Sequence, residues 1–122
     1  MTINKVVIFD MDETLGHFYQ ISGLWYAIKD TNPRATKQDF FDLMDCFQEC
    51  LRIHIEKILK YLKEAKAKGK IRRVIIFTNN QGPKSWSNLI KDYLNYKMNT
   101  KLIDKVVGAY KIGNKQIEPH RT

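Results

Sequence analysis

Apolar residues fall along this chain in two kinds of run. Val6-Val7-Ile8-Phe9, Val74-Ile75-Ile76-Phe77 and Val106-Val107 are short and unbroken, rich in β-branched and aromatic side chains. Such runs suit strands covered on both faces, as in a parallel sheet flanked by helices. Elsewhere the spacing is helical. Phe40, Phe41, Met44 and Phe47 continue through Leu51, Ile55, Ile58, Leu62 and Ala65, which predicts one long helix or two shorter ones. Thr36 and Asp39 form a capping-box-like start, and Gly69 is placed to end the stripe in a left-handed turn before the second strand. Past Gly82-Pro83, Ser85 or Ser87 can cap a helix with Trp86, Leu89, Ile90, Tyr93 and Leu94 on one side. Strands alternating with helices make this an α/β chain, and 122 residues fit one domain large enough to bury a core without staples.

Composition narrows the class. Hydrophobic residues at 43% and charged residues at 28% are those of a globular protein, and no apolar run approaches the ~20 residues needed to span a bilayer. The N-terminal apolar run stops at Asp10, so it is no signal peptide, and a reducing, cytoplasmic setting with no membrane partner is the expectation. Cys46, Cys50 and His54 lie four apart on a probable helix, but structural zinc wants four tetrahedral ligands, and core-facing thiols are the plainer reading. The formal charge of +8 would draw anionic partners, phosphate esters and nucleic acid included. Its densest stretch, from Lys57 to Arg73, reads as a solvated helix face, because Glu56, Lys60, Lys63 and Lys70 recur at helical spacing.

The chemistry is concentrated where the first strand ends. Asp10 and Asp12 follow Phe9 at once, and ligands of open α/β sheets collect outside the carboxyl ends of the strands. Two close carboxylates repel, and a divalent cation relieves the repulsion; magnesium binds through one or two carboxylates plus substrate phosphate. Asp10 is then placed to attack phosphorus as a carboxylate nucleophile, with Asp12 as general acid and base.

Asp10-Met11-Asp12-Glu13-Thr14 resembles the Asp-x-Asp-x-Thr/Val of the haloacid dehalogenase superfamily, and Thr78-Asn79-Asn80-Gln81-Gly82 looks like that family's second motif. The resemblance implies a Rossmann-like three-layer sandwich with a mainly parallel sheet. It implies a small flap at Gly16–Tyr26 and a helical insertion in place of a separate cap domain, although the same aromatic-rich stretch also reads as a hydrophobic edge packed on the domain. It makes Asp10 the nucleophile and Asp12 the acid/base, with Mg2+ held by Asp10 and by Asp12 through its backbone carbonyl. Phosphate binding falls to Thr78 and Asn79, through the Thr78 hydroxyl and neighbouring amides.

The family also carries a third-motif Lys or Arg, for which Lys111, Lys115 and Arg121 are weak matches, and an acidic fourth motif that no residue after Glu118 supplies. The expectation is a single domain over residues 1–122 that is the N-terminal part of a longer one, with an unpaired sheet edge that invites self-association. Two functions are consistent with these residues. One is a magnesium-dependent phosphatase hydrolysing phosphomonoesters through an aspartyl-phosphate. Its substrate class is open, since the first motif resembles phosphoprotein phosphatases and the second resembles nucleic-acid 3'-phosphatases and small-molecule phosphatases. The other is a catalytically incomplete binding or interaction protein of the same fold.

Overall fold

The computed structural model describes residues 5–11, 14–78, 84–108, 111–112 and 115–116, with Lys84 and the last two pairs as backbone alone. The elements are β1 (Val6–Asp10), α1 (Tyr19–Thr31), α2 (Lys37–Cys46), a 3-10 turn (Gln48–Cys50), α3 (Ile55–Ala67), β2 (Arg73–Thr78), α4 (Lys84–Met98) and β3 (Lys105–Gly108). Two-residue strands β4 (Lys111–Ile112) and β5 (Lys115–Gln116) pair antiparallel with each other.

β1, β2 and β3 form a parallel sheet in that spatial order, with Val7 beside Val74, Phe9 beside Ile76 and Ile76 beside Val106. Both crossovers step the same way across the sheet, so right-handed connections carry their helices to the same face. The core agrees. Val74 and Ile76 are fully buried with Ile21, Phe40, Leu59 and Ile90 from the four helices, and Val7, Phe9 and Val106 pack against them. The opposite face carries Val6 and Ile8, which are 45% and 64% exposed, beside half-buried Ile75, Phe77 and Val107. The α/β class and parallel sheet are as the sequence predicts. Among the described residues, however, helices cover one face, giving two layers in place of three, and no strand pairs with the outer edge of β1.

Several local expectations hold for identifiable reasons. The Thr36 hydroxyl accepts from the Asp39 N–H at 3.2 Å, and the Asp39 carboxylate accepts from the Thr36 N–H at 2.8 Å, closing the capping box of α2. Gly69 has φ +75°; its N–H donates to the Lys66 carbonyl and that of Lys70 to Ala65, which completes a Schellman ending for α3. α4 already includes Ser85 and Ser87, so neither serine caps it, and its N-cap lies outside the described residues.

Other expectations are corrected. The stripe is carried by two helices, with the break at Phe47; Ile55, Leu62 and Ala65 are buried as expected, but Ile58 is 46% exposed and Leu59 is buried in its place. Cys46 ends α2 and is exposed, and Cys50 lies half-buried in the 3-10 turn, so the two thiols do not share a helix face turned to the core. Gly16–Tyr26 is no hairpin flap. Gly16 bridges to Leu51, and Tyr19 opens α1, which buries Ile21 and Trp25 at a spacing of four. Trp25 meets Phe40 edge-on at 5.2 Å between ring centroids, and Phe40 meets Trp86 at 5.5 Å, joining α1, α2 and α4. Each such contact is worth about 1 kcal/mol beyond the area it buries.

Candidate active site

The sheet register places the candidate residues. β1 ends at Asp10, whose partner on β2 is Phe77, and Thr78 follows as the last residue of β2. Adjacent strands are about 4.8 Å apart and rise about 3.3 Å per residue, so the Cα atoms of Asp10 and Thr78 are about 6 Å apart. Both therefore stand at the carboxyl end of the sheet on neighbouring strands. Their surroundings differ. Asp10 is exposed and by the pleat shares the open face with Phe77, whereas Thr78 is 2% exposed and belongs with Val74 and Ile76 on the helix-covered face. A group bridging the two would sit off the strand tips, not over either face. Asp12 and Asn79 lie outside the described residues, as do the side chains of Lys84, Lys111, Lys115 and Arg121.

The chain around Asp10 is anchored on the core side. Met11 and Leu15 are fully buried, and the Leu15 N–H donates to the Met11 carbonyl at 3.0 Å. The Leu15 carbonyl accepts from the Arg52 N–H at 2.9 Å and the Cys50 carbonyl from the His17 N–H at 2.7 Å, tying the stretch after the motif to the 3-10 turn. Gly16 is required there, because a Cβ would collide with the Cys50 carbonyl and the Phe18 ring.

This arrangement opens a cleft of about 400 Å³ between α1 and the 3-10 turn, lined by His17, Gln20, Leu24, Phe47, Glu49 and Cys50. Burial, with the neighbouring Glu49 charge, pushes the Cys50 thiol up, so it remains protonated and is a poor nucleophile. Nothing local in the chain signals this cleft, because its lining comes from two segments some 30 residues apart that the Gly16–Leu51 bridge and its flanking hydrogen bonds bring together.

An exposed carboxylate at the sheet's carboxyl end is a donor that hydrated magnesium accepts, since this ion keeps several waters and takes one or two carboxylates. Asp10 fits that requirement. Among the described residues no group of three His, Cys, Asp or Glu side chains gathers to hold a metal, whether at Asp10 or around Cys46, Cys50 and His54. No described helix is long and apolar enough to cross a membrane. No protein-family model, no curated protein and no solved structure matches this chain.

Proposed function

We propose that this chain is a haloacid-dehalogenase-like, magnesium-dependent phosphatase acting on phosphomonoesters. The observation that carries the reading is the alignment of Asp10 and Thr78 at the carboxyl ends of adjacent parallel strands, the end where open α/β sheets take their ligands. In this reading one Asp10 carboxylate oxygen forms a bond to phosphorus as the ester P–O bond breaks, and Asp12 gives its proton to the departing alkoxide. Water then adds to phosphorus and loses a proton to Asp12. The acyl-phosphate P–O bond breaks, releasing inorganic phosphate and restoring the Asp10 carboxylate. Thr78 and Asn79 hold the phosphoryl oxygens. Magnesium, held by the Asp10 carboxylate and the Asp12 carbonyl, would supply charge neutralisation at the phosphoryl group.

Exposure of Asp10 favours the nucleophile's role over a structural one, because a carboxylate open to water is within reach of an incoming phosphate. The test is hydrolysis of p-nitrophenyl phosphate by the full chain with and without magnesium, alongside fluorine NMR of a beryllium fluoride adduct. Magnesium-dependent turnover and an adduct resonance that Asp10→Asn abolishes are expected. Absence of both would favour the rival reading, a non-catalytic interaction protein. Comparing a 3'-phosphorylated oligonucleotide with a phosphoserine peptide would then assign the substrate class.

A further inference from the structure

The lysine-rich stretch after α3 does more than solvate a helix. The amino ends of the three strands meet there: the Arg72 N–H donates to the Lys5 carbonyl at 2.8 Å, and the Asp104 N–H donates to the Val74 carbonyl at 2.8 Å. The Lys66 ammonium donates to the Leu102 carbonyl at 2.9 Å and to the Asp104 carboxylate at 2.9 and 3.0 Å. These bonds bring Lys5, Lys68, Lys70, Arg73 and Lys101, scattered over almost a hundred positions, to one end of the molecule, where all five are exposed.

Little opposes them. Asp104 is already held by Lys66, and Glu64 lies one turn earlier on α3. Although burial works to raise it, the Asp104 carboxyl is held below its ordinary value by the hydrogen bonds from Lys66 and the Val74 N–H and by the nearby charges of Lys66 and Arg73.

We propose that this amino-end pole is a docking surface for the phosphate backbone of a nucleic acid, independent of the phosphatase reading and of any base sequence. Exposed lysines act as mobile point charges that suit phosphates and are depleted from protein–protein interfaces. A lipid surface is the poorer fit. Of the apolar residues among these cations, Ile71, Leu102 and Ile103 are buried, and Val6, 45% exposed, offers only a short side chain, too little to insert. Val6 opens β1 at this pole and Asp10 closes it, so the Cα positions at the two ends of the sheet are separated by about 13 Å along the strand. Backbone held at one end thus leaves the other end free.

The experiment is fluorescence anisotropy of the full chain with a labelled 20-nucleotide oligothymidylate and a labelled 20-base-pair duplex at 50 to 200 mM salt, with anionic phospholipid vesicles as the comparison. Binding that weakens with salt, with a log–log slope of about −3 to −4 for four or five phosphate contacts, is expected. Lys68→Glu/Lys70→Glu should lower affinity about tenfold or more. Lys57→Glu/Lys60→Glu, which makes the same charge change about 16 Å away along α3, should lower it no more than about twofold. Circular dichroism checks that both variants fold. No binding at 50 mM salt, equal losses in the two variants, or tighter binding to vesicles than to either oligonucleotide would each overturn the proposal.

Discussion

The two ends of the sheet are built on opposite principles. At the amino end charges are tied into the fold: Lys66 reaches across to the loop before β3, Asp104 accepts from it and from the Val74 N–H, and Asn95 clamps Ile103 through bonds of 2.8 and 3.1 Å. At the carboxyl end Asp10 stands exposed beyond an apolar strand, and its neighbours Met11 and Leu15 are fully buried to hold the backbone beneath it. A carboxylate serves architecture at one end and stands exposed at the other. The difference teaches that residue type does not assign a role; hydrogen-bond partners and burial do.

Exchanging the roles gives the largest expected effect. Asp10→Asn should reduce magnesium-dependent phosphatase turnover by about a thousandfold or more while leaving the thermal midpoint within a degree or two. Asp104→Asn should do the reverse, with turnover retained and stability lower by about 2 kcal/mol in urea unfolding, since charged hydrogen bonds are lost from a half-buried site. Equal effects of the two substitutions on both readouts would break the comparison.

Gly16→Ala comes next. It forces a methyl into the Cys50 carbonyl and the Phe18 ring, and should cost about 2 kcal/mol together with the geometry of the stretch that follows Asp10. Denaturant midpoints of Gly16→Ala and Gly23→Ala, whose added methyl meets nothing within 4 Å, measure that contrast directly.

Acid titration sharpens the amino-end half. A depressed carboxyl contributes stability that is present above its unfolded pKa and lost as pH falls through its folded one. Asp104 is depressed, so the stability gap between the native chain and Asp104→Asn should be constant from neutral pH down to about pH 5 and close below about pH 4. Urea unfolding across that range measures it.

The smallest effect is expected on the open face. Ile8→Thr keeps a β-branched strand former at a site 64% exposed and should change stability by less than about 0.5 kcal/mol, against about 3 kcal/mol for Ile76→Ala on the covered face.

Much of the fold was legible because its signals are local. The unbroken runs at Val6 and Val74 became the strands β1 and β2, and Thr36 with Asp39 closed its box and Gly69 took the left-handed turn, these last two through contacts within a few residues. The break in the helical stripe was not legible, because periodicity through Phe47 and Leu51 carries no record of the 3-10 turn between α2 and α3, although Ile55, Leu62 and Ala65 keep the expected face. The aromatic stretch after Gly16 misled for a related reason, since Ile21 and Trp25 declare a helix face only once Phe40 is there to receive it.

By itself, then, the sequence determined an α/β chain with a carboxylate at the end of its first strand and a hydroxyl at the end of its second, since strand length and residue order suffice for that. Tertiary structure decided the rest. Only the register of β1 on β2 set Asp10 one residue short of Thr78 on opposite sides of the pleat, and only the convergence of the strand starts collected Lys5, Lys68, Lys70, Arg73 and Lys101 into one pole. Both follow from pairings between residues far apart in the chain, whose geometry is fixed when the sheet closes and not before.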